Sequence, residues 1–372
     1  MRIAIDCRYI RERPSGIGAY VQELVDRLPL IAPEDSFALW AHQAARRPLS
    51  DLPNTSEITV AAEPNSLWTI LWPQCYASLD GIELFHGAHN ILPRNIQCPT
   101  VVTIHDVLAI DHPALLFTRW SQRIKRLYYP QAIWRALRKA TRLIVTTARM
   151  AERVIELHPA SRQRVVVVPM GVSSIFSPPA TSDAASRRAR EITGFDAPYF
   201  LVVGQDTPSK RHGFALAAFA RDAPKPWRLV FVQRQSRRAV LDPLAQSLGV
   251  ADRVSWFPDV ASADLITLYQ AAGALLQPSM AEGFGLPVVE AMACGCPVIA
   301  SDIPTLREVI GDAGVLVPVN DGAAFGRALT SLAKSSEQRR HLAGTGLRRV
   351  AVFSWDRCAR ATLQVYRDAA SA

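Results

Sequence analysis

Long apolar runs are missing from this chain. Nowhere in its 372 residues do about eighteen uncharged apolar residues follow one another, so no membrane-spanning helix is expected. Cysteine is sparse and unpatterned. The six cysteines, Cys7, Cys75, Cys98, Cys294, Cys296 and Cys358, form no spaced framework, which excludes a disulfide scaffold and leaves reduced thiols in the cytoplasm as the expectation. Cys294-Gly295-Cys296 has a metal-like spacing, but no second Cys or His pair lies near it in sequence, and a helix end explains it better. Signal-peptide character is lacking too. Met-Arg-Ile-Ala-Ile-Asp6 turns acidic too soon for one and reads as a buried first strand. The third glycine of a dinucleotide fingerprint is absent. Nine residues separate Asp6 from Gly16, the first of the pair Gly16 and Gly18, where a short turn is required.

What remains is an ordinary globular composition, with 49% hydrophobic and 20% charged residues, in a chain whose length suits two domains. Short apolar runs alternate with helical patterns, as in parallel α/β sheets. Strands are expected at 2–6, 37–41, 57–60, 84–86, 100–105, 143–146 and 165–168. After a Ser-, Pro- and Ala-rich stretch at 173–190 the rhythm restarts, with strands expected at 199–204, 228–232, 254–257, 274–277, 298–300 and 314–317. That stretch is the best linker candidate. The expected organisation is a domain over 1–172, a linker over 173–195 and a second domain over 196–353.

The net charge of +9 is unevenly placed. Between residues 117 and 164, twelve Lys or Arg stand against two acids, Glu152 and Glu156. Within 117–140, Arg119, Arg123, Lys125, Arg126, Arg135, Arg138 and Lys139 interleave with Trp120, Tyr128, Tyr129 and Trp134. This suits either a helix lying on an anionic membrane surface or a solvated helix whose aromatics belong to the core. Pro130 is expected to break any single long helix there. No nucleic-acid motif accompanies the charge, so nucleic acid is not an expected partner.

The most informative string runs from Ser279 to Ile299. In it Glu282 and Glu290 bracket a Gly-Phe-Gly turn that leads into a helix opening at Pro287, with Gly295 to end it and Pro297 just beyond. Free backbone N–H groups at such a helix start suit a phosphate. Carboxylates repel phosphate, so the two glutamates are better placed to grip hydroxyls on either side of one. Hydroxyls, phosphate, then hydroxyls describe a sugar nucleotide. Taken singly, the same residues also read as a tight strand-to-helix connection with a glutamate complementing the helix dipole.

The whole string resembles the Glu-x7-Glu signature of the retaining GT-B glycosyltransferases of family 4, the glycosyl transferases group 1. The N-terminal strings look most like its bacterial mannosyltransferases of surface polysaccharide assembly. The resemblance implies an α/β fold of two Rossmann-like, doubly wound domains facing across a cleft. The first would take the acceptor and the second the nucleotide sugar, with 354–372 a C-terminal helix packing back on the first. It implies that Glu282 approaches the donor hexose, that Glu290 holds the ribose, and that amides of Phe284, Gly285 and Leu286 face the sugar and diphosphate. It implies no metal in the site and no cofactor.

Other strings continue the likeness. Gly16 and Gly18 match a glycine loop bordering the donor phosphates and acceptor. Thr103-Ile-His105-Asp106 resembles a motif whose His sits near the reacting sugar, which implies that His105 hydrogen-bonds a donor hydroxyl or makes a backbone-assisted polar contact rather than serving as a base; Asp106 orients the turn. Lys210 matches the lysine that neutralises the departing diphosphate. Gln205 and Ser209 stand where the family commonly has Arg, and Arg211 is the candidate substitute. His86 and His89 resemble the acceptor-side segment, in packing or acceptor contact. The expected reaction is retaining transfer of a hexose, first mannose from GDP-mannose, to a glycan or lipid-linked glycan. Peripheral contact with the anionic inner-membrane surface accompanies one reading of the basic stretch. The rivals are a catalytically silent sugar-nucleotide-binding subunit and a sugar-nucleotide epimerase.

Overall fold

Each apolar run read as a strand forms one, with ends shifted by a residue or two. The computed structural model describes residues 1–11, 15–45, 48–71, 78–117, 123–233, 238–258 and 260–372. Arg13 and Pro14 of the glycine loop, Cys75, and Arg119 and Trp120 of the basic stretch lie outside the described residues. Contacts divide the chain into two units, Met1–Gly171 with Ser354–Ala372, and Val172–Phe353.

In the first unit, β1 (Arg2–Asp6), β2 (Ser36–His42), β3 (Thr55–Val60), β4 (Leu84–Gly87), β5 (Thr100–Ile104), β6 (Arg142–Val145) and β7 (Val165–Val167) pair in parallel. Their order is β3-β2-β1-β4-β5-β6-β7. The central strands are apolar without alternation because both faces of a parallel sheet are covered. The order reverses between β1 and β4, so the chain leaves these neighbours in opposite directions and opens a crevice at their carboxyl ends.

The helix Trp355–Ala370 belongs to this unit and packs on the helix Gly16–Ile31. Its Tyr366 hydroxyl meets His86 Nδ1 at 2.6 Å inside the core. Gly171 lies against its first turn, where a Cβ would come within 2.2 Å of the Trp355 nitrogen. Against expectation, Arg123–Lys139 is one helix running through Pro130. Proline removes one backbone bond there, whereas Ala132, Ile133, Ala136 and Leu137 in the following turns are buried in the core and hold the helix on its course.

In the second unit, β8 (Tyr199–Val203), β9 (Arg228–Gln233), β10 (Val254–Pro258), β11 (Ala274–Gln277), β12 (Val298–Ser301) and β13 (Val315–Val317) are likewise parallel. The order β10-β9-β8-β11-β12-β13 reverses between β8 and β11. Stacked pairs fill its core, Phe200 on Trp227 and Phe231 on Trp256, each at 4.5 Å between ring centroids. Within the stretch expected as a linker, Ser182–Thr193 is a helix. Thr181 caps its start, Gly194 ends it in the left-handed region, and Ala185 and Ala189 bury one face. Two alanines at i and i+4 are a faint apolar stripe, easily read as loop composition.

Candidate active site

In the second unit the loops leaving β8 and β11 lie side by side at the reversal point. Met280 N donates to the Ser209 carbonyl at 2.8 Å. Three donors converge on one carboxylate oxygen, Glu282 Oε1. They are Gln277 Nε2 at 2.5 Å, Ser279 Oγ at 2.6 Å and Lys210 Nζ at 2.5 Å. Gln277 and Ser279 are buried, and the Glu282 side chain is only 8% exposed, so the carboxylate orientation is held by the protein. Lys210 spends one N–H on Glu282 and has two more to offer an anion, with 24% of its side chain open.

Eight residues on, Glu290 Oε2 accepts from the hydroxyl of Tyr269 at 3.0 Å. Burial, and then the Glu290 charge, push that phenol well above its ordinary value, so it stays a donor. The turn between the glutamates is built for close backbone approach. Gly285 has φ +97°, and a Cβ there would fall 2.8 Å from Leu306 Cδ2. Phe284 turns its ring inward, edge-on to Phe353 at 5.4 Å. The helix Leu286–Ala293 starts directly after, with Pro287 in its first turn. Its leading amides can serve an anion.

Arg211 caps the helix His212–Asp222 in the left-handed conformation. Its guanidinium lies 4.2 Å from the Phe214 ring centroid, and Nη1 is buried without a hydrogen-bond partner. The charge therefore rests on its own helix. Beside it, burial and the Lys210 charge hold buried His212 down at about 3.

In the first unit, His105 follows β5. Its backbone N–H donates to Asn90 Oδ1 at 2.6 Å, and Nε2 donates to the Ala88 carbonyl at 3.0 Å. Burial holds its pKa at about 4, so the ring is neutral near pH 7. With the proton on Nε2, Nδ1 is an acceptor, suited to a hydroxyl rather than to an anion. Tyr20 packs edge-on against this ring at 4.9 Å. Gly16 and Gly18 occupy the first turn of the Gly16–Ile31 helix, because Ser15 Oγ caps it by accepting from Gly18 N at 3.2 Å. Tyr20, one short step along that helix, links the glycine turn to His105.

Asp106 orients the next turn, its Oδ1 accepting from Leu108 N at 3.0 Å. His86 is internal, bonded with Tyr366 and with Thr103 Oγ1 at 2.9 Å. His89 Nε2 meets Asp6 Oδ2 at 2.9 Å, and Asp6 also takes two bonds from the buried Arg8 guanidinium. Burial raises the Asp6 pKa, but Arg8 and His89 outweigh it and hold the carboxyl far below the usual range. Asp6, Arg8, Asn90, Tyr269, Gln277 and Ser279 were not singled out from the sequence. A polar residue at the carboxyl end of an apolar strand was the available signal for Asp6 and Gln277. Among the described residues no three His, Cys, Asp or Glu side chains cluster as metal ligands, and no helix is long and apolar enough to cross a membrane.

The family model of the glycosyl transferases group 1 matches residues 186–349, and that of a glycosyl transferase 4-like domain matches residues 75–171. The chain is 34% identical over 292 residues to the D-inositol 3-phosphate glycosyltransferase of Frankia alni, covering 75% of this chain and 70% of that one. It is 25% identical over 387 residues to the O-antigen chain mannosyltransferase B of Escherichia coli, covering 99% and 100%. Among solved structures, Anabaena HepE in complex with UDP and glucose matches with a TM-score of 0.73 at 17% identity, over 99% of this chain and all of that one.

Proposed function

The chain belongs to the glycosyl transferases group 1 and is a glycosyltransferase of GT-B fold; from that premise we propose that it transfers a hexose, with retention, from a nucleoside-diphosphate sugar to a glycan or lipid-linked glycan. One observation carries this reading, the carboxylate of Glu282 locked by Gln277, Ser279 and Lys210 at the carboxyl end of β11. A fixed carboxylate beside a cation, next to amides at a helix start, suits a hexose joined to a diphosphate. Glu282 grips the hexose hydroxyls, Lys210 and the amides at Gly285 and Leu286 take the diphosphate, and Glu290 holds the ribose. In the first unit, His105 offers Nδ1 of its neutral ring as an acceptor for a sugar hydroxyl, and Gly16 and Gly18 open a helix start to close approach.

In the reaction the bond from the sugar's anomeric carbon to the diphosphate oxygen breaks, and its electron pair leaves with the phosphate. The acceptor hydroxyl attacks on the same face, and its proton passes to the departing phosphate oxygen. The sugar gains oxocarbenium character on the way, so stabilising the anion and positioning the partners carry the catalysis. Mannose from GDP-mannose is the donor we favour, supported by the end-to-end likeness to an O-antigen mannosyltransferase. UDP-glucose is the competing donor, supported by a fold neighbour holding UDP and glucose. The basic helix is read as a peripheral contact with the cytoplasmic face of an anionic membrane, near a lipid-linked acceptor.

A second reading, a silent subunit that binds sugar nucleotides, is favoured by one observation. Gln205 and Ser209 lack the charge commonly found there, and Arg211 is engaged by Phe214. One assay decides between them. Purified protein is offered radiolabelled GDP-mannose, UDP-glucose and related donors with crude lipid-linked acceptor. Label in the lipid fraction supports transfer. Donor binding without turnover supports the silent subunit, and a free epimerised nucleotide sugar overturns both.

A further inference from the structure

We propose that a cavity of about 290 Å³ in the first unit holds the phosphate headgroup of an anionic membrane lipid, with the lipid chain along its apolar wall. This site presupposes the membrane-facing reading of the basic helix and adds to it a specific pocket. Leu67, Ile70, Leu71 and Ala132 form the apolar wall. Arg94, Arg135, Arg138 and Lys139 line the same cavity.

Four cations on one cavity is an arrangement that repels itself. No described acid forms an ion pair with any of the four. Among the described residues, Arg135 has only the Pro93 carbonyl, at 3.4 Å from its Nε, and Arg138 lies over Trp134 at 5.4 Å. Burial, with the neighbouring Arg94 charge, draws the Arg135 pKa down, as expected where positive charges meet without an anion between them. A phosphate removes that repulsion and takes charge-assisted bonds from the guanidinium groups.

The surroundings say why the phosphate is carried on a lipid. Lys125 Nζ and the Tyr128 hydroxyl bond Asn65, at 3.2 and 3.1 Å, which ties the segment before Leu67 to the start of the basic helix. Large apolar side chains stand out on both tied segments, Trp68 at 63% exposure and, on the helix, Ile124 at 68% and Leu127 at 75%. A soluble anion has no use for them. An aromatic ring and aliphatic side chains among cations instead match the boundary between headgroups and hydrocarbon.

The test is sedimentation of the full chain with vesicles at fixed ionic strength. Three compositions are used: phosphatidylcholine alone, with phosphatidylglycerol, and with phosphatidic acid, the two anionic sets matched in surface potential. Phosphatidic acid, whose phosphate is a terminal monoester, is expected to bind about tenfold more tightly than phosphatidylglycerol. Replacing both exposed guanidiniums, Arg94→Gln with Arg138→Gln, is expected to weaken the phosphatidic acid complex about thirtyfold. A second-unit pair, Arg188→Gln with Arg221→Gln, removes the same charge and is expected to leave binding intact. Unchanged melting temperatures confirm that both pairs fold. Equal binding to the two anionic lipids, or equal losses in the two variants, overturns the cavity while sparing general attachment. Binding to no anionic vesicle overturns both. Displacement from phosphatidic acid vesicles by millimolar inorganic phosphate overturns the lipid assignment in favour of a free anion. Sugar transfer is not read in this assay, so its outcome is independent of the catalytic reading.

Discussion

Lys210 Nζ lies 2.5 Å from Glu282 Oε1, a contact between residues 72 apart in sequence. It joins the loop after β8 to the loop after β11, and the two residues with the strongest chemical claim are therefore one unit. Glu282→Ala is expected to lower transfer by about a hundredfold or more, through loss of the proposed hexose contact and release of Lys210. The fold should persist with a stability loss of about 1–3 kcal/mol, since Lys210 is left partly buried and unpaired. Label transfer and urea unfolding measure the two effects. A fully active variant would remove Glu282 from the site.

Arg211 distinguishes an active transferase from a silent one. If its guanidinium leaves Phe214 for the diphosphate, Arg211→Ala should cut kcat at least tenfold with a modest change in donor KM. If it stays on the ring, kcat is unaltered and stability drops by about 0.5–1 kcal/mol. Placing a new cation at the exposed position, Gln205→Arg, is expected to raise kcat if the missing charge limits turnover. No gain in that variant, together with no loss in Arg211→Ala, would assign neither position to the diphosphate.

Tyr269→Phe deletes the hydroxyl that donates to Glu290 and little else. With Glu290 in its proposed role on the ribose, donor KM should rise about three- to tenfold while kcat holds, because such a contact counts equally before and during reaction. Equal loss in kcat and in kcat/KM would instead put Glu290 at the reacting sugar.

Acid should destabilise the protein earlier than carboxylate protonation alone would. Burial holds His105 at about 4, and His86 and His212 at about 3, all below the unfolded value near 6.5. The unfolded chain then takes up protons that the native chain refuses. Stability is full above about pH 6.5 and is lost as pH falls towards 4, by about 2 kcal/mol for each His at pH 5. Urea midpoints at pH 7, 6 and 5 give the slope, and His105→Asn should flatten it. The rate of transfer should show no limb near pH 6.5 from His105. Such a limb, lost in His105→Asn, would mean that the ring titrates in the working enzyme.

Much of the fold was legible because parallel strands are apolar on both faces and stand out between polar turns. β1, β5 and β11 each announce themselves this way. The Gly285 turn was equally legible, since a left-handed residue before a proline-started helix admits few alternatives. Pro130 misled, because a local rule about one hydrogen bond competes with burial of Ile133 and Leu137, which only the folded core provides. The Ser182–Thr193 helix was missed for a related reason, as alanines make little contrast with a serine-rich background.

The sequence by itself determined the strand succession, the two glutamates flanking a glycine turn that opens a helix, the lysine in a strand-to-helix loop and the histidine at a strand end. These depend on neighbours within a few residues, through periodicity, turn chemistry and helix capping. Tertiary structure alone decided that Gln277, Ser279 and Lys210 share one oxygen of Glu282, that Tyr269 holds Glu290, and that Arg211 turns to Phe214. It also decided that Arg94 and Arg135 line one cavity. Those relations follow from sheet order and from burial, which bring together side chains far apart in sequence and favour partners for most buried polar groups.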